Sequence, residues 1–335
     1  MNPKVRNLFL LFGIAAIVVM LYKFDVTWAD LKMYLGKAGF YLPFIIGIWV
    51  VVYAFNARAF QLIVNNDVRG EKRLPFLPAC KLTISGFAFS YTTPFGFGGG
   101  PYRVMELSSF IGVKHAMSSV VLYSMMHILS HFCLWMSAVV LFVCFYDFPP
   151  YLWSFFSIFF LAFILVVVFF YYGYNHGMLV NLIKLGLKVP LLKRPLKKVF
   201  VKNEENLRQI DSQIAYLHEH PKAFYGSLLM EYLGRVANAF EYYFILLALV
   251  PQFHPTVLDA LMVLAFSSLI GNLLFFFPMQ LGAREGSLTV ILKLLYVGIN
   301  PSIGIVTSLY TRIRELFWIF VGVALVKFGN NKIMK

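Results

Sequence analysis

Long apolar stretches recur along the chain and alternate with shorter polar segments. Several of them approach or exceed the ~20 residues that a helix needs to cross a ~30 Å hydrocarbon core. They lie at 7–22, 40–64, 116–145, 151–173, 223–250 and 302–326. The first follows Lys4 and Arg6 as in a signal peptide, but no small-residue cleavage site comes after it, so we interpret it as an uncleaved helix. The pattern predicts an all-α polytopic membrane protein with about six full spans.

Two further apolar regions, 74–112 and 257–300, are interrupted in the middle by Gly and Pro residues. The pieces that follow the interruptions, 101–112 and 287–299, are too short to cross a membrane. We therefore expect each region to form a broken re-entrant hairpin. A pair of short spans is the alternative for each region.

The composition excludes a single soluble globule. Hydrophobic residues make up 60% of the chain and charged residues 13%, whereas soluble domains carry roughly 25% charged residues. The chain therefore has too few polar residues to cover a water-exposed surface. We interpret 1–335 as a single transmembrane domain in which the polar stretch 174–222 is a linker that contains an amphipathic helix around 199–218.

The chain has a large excess of positive charge, with 29 Lys and Arg against 15 Asp and Glu. In a soluble protein this balance would suggest a nucleic-acid partner. Here many of the basic residues fall in the N-terminus, the segments 65–81 and 184–202, and the C-terminal tail. Such clusters are typical of cytoplasmic loops, so we expect both termini in the cytoplasm and no nucleic-acid partner.

The two broken regions predict an internal repeat. With this orientation, 74–112 begins and ends at the cytoplasmic face, whereas 257–300 begins and ends outside. Each region follows a helix with polar residues and precedes a long helix, which predicts an inverted repeat of 40–145 and 223–328. Inverted-repeat transporters build their binding sites from discontinuous helices. The alternative is that any two Gly- and Pro-rich membrane segments look alike.

The breaks themselves are candidate binding positions for an anion. Irregular backbone at membrane depth needs a protein or water-filled cavity around it, and a helix that starts there presents unpaired N–H groups and a partial positive charge. We expect the short helices to start at Pro101 and near Arg284. The other candidates at the breaks are Pro94, Gly98, Gly99, Gly100 and Gly282. Alternatively, these glycines only allow helices to pack closely.

Ionisable residues inside the apolar regions are costly in a membrane and mark function by default. The candidates are Arg103, Glu106, Glu231, Arg235, Glu241, Arg284, Glu285, Arg312 and Glu315. The spacing of Glu231 with Arg235, and that of Arg312 with Glu315, lets each pair share one helix face. The alternative is that internal ion pairs only fix the helix packing.

Metal binding and catalysis receive little support from the sequence. His127 and His131 lie four residues apart, but no third ligand is apparent, so buried polar packing or a proton relay is favoured over a metal. The three cysteines, Cys80, Cys133 and Cys144, are too scattered for a metal cluster. We find no nucleotide-binding or nucleophile motif, and we expect no catalytic residue, no cofactor and no enzymatic activity.

Two motifs together resemble a known family. They are Thr-Thr-Pro-Phe at 92–95 with Gly-Gly-Gly-Pro at 98–101 and Arg103, and the segment 278–286 from Pro278 to Gly286. Nearly the whole chain is similar, in order and spacing, to the flippase-like transmembrane domain of the lysylphosphatidylglycerol synthase superfamily. The resemblance implies a multi-pass protein of the bacterial inner membrane that binds a lipid headgroup.

The same resemblance limits the expected activity. Members of the family that synthesise lysyl-lipid carry a soluble aminoacyl-transferase domain after the membrane part. Since this chain stops at Lys335, we do not expect the synthase activity. In the family a polar side chain often follows the first Gly pair, and Gly100 stands there in this chain, which leaves Arg103 and Glu106 as the nearby polar candidates.

The leading hypothesis is a flippase-like protein that binds and translocates a membrane phospholipid or lipid-linked headgroup. We expect Arg103, Arg284 and Arg312 to hold an anionic phosphate in a cavity between the repeats. The glutamates would shape the site or bind a cationic part of the headgroup. One alternative is an accessory protein that presents lipid to a lipid-modifying membrane enzyme. Another is a secondary transporter of a small solute.

Overall fold

The computed structural model describes most of the apolar part of the chain. The described residues are 38–66, 73–93, 98–148, 150–176, 221–273 and 283–327, together with the single positions 36, 180, 183, 187, 204 and 211. The predicted span at 7–22, Pro94, Gly282 and the basic C-terminal tail lie outside the described residues. Most of the linker 174–222 lies outside them as well.

The described part of the chain is all-helical, as the sequence predicts, and its regular elements include no strand. The α-helices are α1 Leu42–Asn66, α2 Phe76–Thr92, α3 Gly99–Ile111, α4 Val113–Phe145, α5 Leu152–His176, α6 Pro221–Leu249, α7 Val257–Leu273, α8 Ala283–Leu295 and α9 Ser302–Lys327. Short 3₁₀ helices at Gly39–Tyr41 and Pro251–Phe253 precede α1 and α7.

Five predicted spans coincide with long helices, namely α1, α4, α5, α6 and α9, within a few residues at each end. Among the described residues, Gly39–Asn66 and Val113–Phe145 are long and apolar enough to cross a membrane on length and composition alone. Helices α6 and α9 are also long enough, but both carry charged residues near their centres. The helical fold is therefore confirmed, and the number of spans stays a prediction.

Helices α1–α4, the first helix group, and α6–α9, the second helix group, follow the same order. Helices α2 and α7 each have 17 residues, and α3 and α8 each have 13. The packing also corresponds: α2 contacts α9 as α7 contacts α4, while α3 packs on α4 as α8 packs on α9. Helices α1 and α6 pack against each other. The opposite orientation of the two groups in a membrane stays a prediction.

The helix ends on either side of the first interruption lie close to where the sequence predicts them. Helix α2 ends at Thr92 and α3 begins at Gly99, two residues before the expected start at Pro101. At 1.5 Å per residue, helices of 17 and 13 residues extend about 25 and about 20 Å, less than a hydrocarbon core of about 30 Å. Gly112 and Gly298, which follow the two short helices, have φ angles of 84° and 81°, a conformation that favours glycine.

The start of α3 packs directly on the backbone of α2. A methyl group on Gly99 would overlap the Ser90 hydroxyl and the Gly86 carbonyl oxygen, so only glycine fits this crossing. A methyl group on neighbouring Gly100 would lie 3.9 Å from Cγ1 of Val120, which is an ordinary contact. The close-packing alternative thus applies to Gly99, whereas Gly100 has space around it.

We predict that Gly99→Ala destabilises the protein and that Gly100→Ala does not. Overpacking of a tight contact costs about 1–3 kcal/mol, whereas a substitution with space around it stays within about 0.5 kcal/mol. Thermal unfolding of the purified proteins in detergent, followed by tryptophan fluorescence, measures the difference. Equal melting temperatures for Gly99→Ala and wild type would contradict the tight crossing of α2 and α3.

Candidate functional site

A cavity of about 1180 Å³ lies where the two helix groups meet. Ligand pockets commonly measure about 300–1,000 Å³, so this cavity is large enough for more than a small polar solute. Its polar lining comes from both groups and consists mainly of Asn56, Tyr91, Arg103, His127, His131, Arg235, Asn238, Arg284, Arg314 and Glu315. Gly100 lines the cavity as well.

The rest of the cavity wall is apolar. Helix α4 contributes Met117, Val121 and Ile128, and Val52 and Leu264 come from α1 and α7. Met117 and Ile128 are 38% and 51% exposed, so accessible apolar surface on α4 borders the cavity. The cavity is therefore amphiphilic, with charged groups on some walls and accessible apolar side chains on others.

A buried ion pair closes the part of the cavity between α1, α6 and α9. Glu241 is fully buried, and it accepts hydrogen bonds from the Nε of Arg314 at 2.9 Å and the Nε1 of Trp49 at 2.6 Å. The guanidinium carbon of Arg314 also lies 3.9 Å from the centre of the Trp49 ring. This cation–π contact and the two hydrogen bonds hold Arg314 in place.

A second ion pair connects α8 and α9 with the end of α2. The Nη1 of Arg284 donates to Oε1 of Glu315 at 2.6 Å, and the Tyr91 hydroxyl donates to the same oxygen at 2.7 Å. The Nη2 of Arg314 lies 3.9 Å from that oxygen. Two arginines and two glutamates therefore form one network that balances its own charge.

The third cluster lies between α1, α4 and α6. Glu231 is fully buried, its Oε2 is 2.7 Å from Nδ1 of His127, and Asn56 donates to both of its oxygens at 3.1 and 3.2 Å. Arg235 is only loosely paired with Glu231, at 4.0 Å. Its shorter hydrogen bonds, both 2.7 Å, go to the Ser130 hydroxyl and the His127 carbonyl.

Arg312 does not pair with Glu315 along α9, although the spacing of the two residues would allow it. Arg312 donates from Nη2 to Glu285 at 2.5 Å, while Glu315 pairs with Arg284. Adjacent residues of α8 thus take one partner each from α9. Ser308 also donates to Glu285, at 2.7 Å. Since neither Arg312 nor Glu285 lines the cavity, this pair serves the packing of α8 on α9.

The predicted site residues therefore fall into three sets. Those that line the cavity are Gly100, Arg103, Arg235, Arg284 and Glu315. Those that do not line it are Gly98, Gly99, Glu106, Glu231, Glu241, Glu285 and Arg312. Pro94 and Gly282 lie outside the described residues. Glu231 and Glu241 lie behind the residues that line the cavity. Glu231 holds His127 through a hydrogen bond, and Glu241 holds Arg314 in the same way.

Arg103 differs from the other arginines of the cavity. It is only 9% exposed, and no carboxylate among the described residues forms an ion pair with it. Its Nη2 makes a long hydrogen bond of 3.5 Å to the Thr83 carbonyl, its Nε has no hydrogen-bond partner in that part of the chain, and its guanidinium carbon lies 5.1 Å from the Tyr123 ring. A buried cation without an ion pair is a strong candidate for binding an anion.

The family model for the lysylphosphatidylglycerol synthase TM region matches residues 8–323. The chain belongs to this family. Comparison with curated proteins and with solved structures gave no match. The match covers nearly the whole chain, including both broken regions and every lining residue of the cavity, and it confirms the family to which the two motifs point. This family member is therefore a membrane protein, and the family suggests a function related to membrane lipid.

Several cavity residues of this family member were missed in the sequence. Arg314 carries a charge inside an apolar region, so the rule that selected Arg312 could also have found it. Asn56 is visible as a polar residue inside the predicted span 40–64, whereas Trp49 and Tyr91 have no comparable signal, because their partners lie 192 and 224 residues away. Among the described residues no group of three or more His, Cys, Asp or Glu could hold a metal ion.

We predict that Glu241→Gln strongly destabilises the protein. Removing one partner from a buried ion pair costs about 3–5 kcal/mol, because the charge of Arg314 then stays buried without its carboxylate. The double variant Glu241→Gln with Arg314→Met removes both charges and should recover part of that loss. Thermal unfolding in detergent measures all three proteins. A double variant no more stable than Glu241→Gln would contradict the coupling.

Proposed function

We propose that this protein binds the anionic headgroup of a membrane phospholipid in the central cavity and moves it across the bilayer. The observation that carries the proposal is Arg103, a buried cation on the cavity wall without an ion pair among the described residues. A lipid phosphate would supply the missing negative charge through charge-assisted hydrogen bonds. Gly100, at the start of α3, lets the phosphate approach the backbone closely.

The shape of the cavity favours a lipid over a small polar solute. The charged walls suit a headgroup, while the exposed apolar residues Met117 and Ile128 on α4 offer a path along which acyl chains stay in the bilayer. Arg284 has a smaller role than the sequence suggests, because Glu315 already neutralises it. We therefore assign the primary phosphate contact to Arg103.

The two helix groups provide a mechanism for movement. We propose that they lie in the membrane in opposite orientations and rock against each other around the cavity, as inverted repeats do in secondary transporters. The hydrogen bond from Tyr91 on α2 to Glu315 on α9 bridges the groups and would have to break or travel with such a motion. A lipid-modifying enzyme is the partner that we propose for supplying or using the lipid.

We place the protein in the bacterial inner membrane, as its family resemblance implies, and the distribution of basic residues supports an orientation with both termini in the cytoplasm. In this orientation, the turn between α3 and α4 faces the cytoplasm and the turn between α8 and α9 faces outside. Val113, the first residue of α4 directly after the first turn, and Val297, in the second turn, are 59% and 92% exposed.

We predict that Arg103→Gln loses bound phospholipid. A hydrogen bond to a charged group contributes about 1.5–3 kcal/mol, which corresponds to roughly a 10- to 100-fold change in affinity. The matched control is Arg58→Gln, since Arg58 is exposed, donates its side-chain hydrogen bond to neighbouring Gln61 and does not line the cavity. Mass spectrometry of lipid retained by the purified proteins measures the loss.

Reconstituted liposomes with labelled phospholipids test translocation itself. Acceleration of lipid movement by wild type and by Arg58→Gln, but not by Arg103→Gln, is the expected result. Retained lipid without any acceleration would overturn the flippase function and favour a protein that presents lipid to an enzyme. The absence of both retained lipid and acceleration would overturn the lipid-binding proposal.

Cysteine accessibility tests the orientation. In a variant without the native cysteines, Val113→Cys should react with a membrane-impermeant thiol reagent only from the cytoplasmic side, and Val297→Cys only from outside. Labelling of intact cells and of inverted membrane vesicles separates the two cases. If both positions react from the same side, the opposite orientation of the two helix groups is wrong.

A further inference from the structure

A histidine–carboxylate pair stands at the cavity wall, where His127 lines the cavity and Glu231 lies behind it. The Nδ1 of His127 lies 2.7 Å from Oε2 of the fully buried Glu231, whereas the His127 side chain is 44% exposed toward the cavity. A carboxylate that accepts the Nδ1 proton fixes the tautomer and leaves Nε2 for a second partner. The pair therefore presents a ring nitrogen that can take up a proton.

His127 and the cation that we assign to the phosphate share Tyr123 as a neighbour on the cavity wall. The Tyr123 ring is 5.1 Å from the guanidinium carbon of Arg103 and 6.1 Å from the His127 ring, and all three residues line the cavity. An anion that binds Arg103 at this wall is thus near His127 as well. The negative charge of a phosphate there favours the protonated form of the imidazole.

Several titratable or charged groups face His127 and Glu231 from the helices packed around them. They are Arg103 on α3, Tyr123 and His131 on α4, and Arg235 on α6, which in turn faces Cys133 on α4. Helix α1 contributes the neutral Asn56, and α7 carries no titratable side chain beyond Asp259 in its first turn. With the cations Arg103 and Arg235 nearby, a proton on His127 needs an additional anion to balance it.

We propose that His127 takes up one proton when an anionic headgroup binds, so that the cavity binds a proton and a phosphate together. This inference rests on the proposed function, because it assumes that the phosphate contacts Arg103. The proton comes from hydronium or a buffer acid in the solvent, whose bond to hydrogen breaks as the N–H bond of His127 forms. The imidazolium then lies between the Glu231 carboxylate and the phosphate. Coupled movement of the two would connect lipid transport to a proton gradient.

The sign of the pH dependence follows from this linkage. The anion stabilises protonated His127, so the affinity for the lipid rises as the pH falls through the titration of His127. One proton per lipid limits the slope to about tenfold in affinity per pH unit. A phosphodiester remains ionised throughout this range, so the lipid itself contributes no such slope.

Calorimetry tests the inference by measuring the binding of short-chain phosphatidylglycerol to the purified full-length protein in detergent. The titrations run between about pH 5.5 and pH 8.5, a range that includes the pKa of about 6.5 of an ordinary histidine side chain. Repeating the titration in buffers with different ionisation enthalpies counts the protons taken up directly. We expect tighter binding at low pH, with uptake that approaches one proton per lipid.

The variant His127→Asn should bind lipid with a flat pH profile, because its amide can still donate to Glu231 but gains no proton. The matched control His254→Asn should behave as wild type, since His254 is exposed outside the cavity and its φ of 50° suits asparagine. A wild-type affinity that does not vary with pH would overturn the coupling but leave the proposed function intact. Absence of lipid binding at every pH would overturn the proposed function itself.

Two further variants locate the proton. If the pH dependence survives in His127→Asn and disappears in His131→Asn or Glu231→Gln, the proton binds elsewhere and the assignment to His127 is wrong. Melting temperatures of the variants close to wild type exclude loss of the fold as the cause of a flat profile. Lipid binding by His127→Asn at high pH provides the same check through function.

Discussion

Most of the charges that this protein buries are neutralised by partners on other helices, and much of the architecture follows from these pairings. Glu241 is held by Arg314 across α6 and α9, and Glu315 by Arg284 across α9 and α8. Buried ion pairs add little net stability, but breaking one is costly, so such pairs act mainly by specifying which helices meet. Both ion pairs join helices of the second helix group. Hydrogen bonds from Trp49 and Tyr91 connect these pairs to the first helix group.

This neutralisation is uneven between the two helix groups, although their helices correspond in order, length and packing. The arginine near the start of α8 has a carboxylate partner, whereas the arginine near the start of α3 has none among the described residues. A scaffold that is repeated in its packing is thus asymmetric in its electrostatics. An anion in the cavity would meet different surroundings at the two walls, which gives a preferred side for its binding.

The sequence predicts what depends on local pattern and misses what depends on the register between helices. The positions of α1, α4 and α9 follow from apolar length, and the break before α3 follows from Gly and Pro residues. The partner of Arg312 could not be read in this way. Its helix offers Glu315 at a suitable spacing, but the rotation of α8 against α9 brings Glu285 to Arg312 instead. Trp49 and Tyr91 could not be predicted either, because their hydrogen-bond partners lie on helices far along the chain.

The glycines at the first break join the packing of the helices to the chemistry of the cavity. At Gly86 on α2, a methyl group would overlap the guanidinium of Arg103, so the missing side chain leaves the space in which that cation lies. Gly99 brings α3 close enough to α2 for this to happen, and Gly100 faces the cavity. Close packing and anion binding are alternative explanations of these glycines in the sequence. In the structure the two are linked, because the close packing positions the cation that can bind the anion. The tight crossing of α2 and α3 positions Arg103, and the cation so positioned makes the cavity suitable for a phosphate.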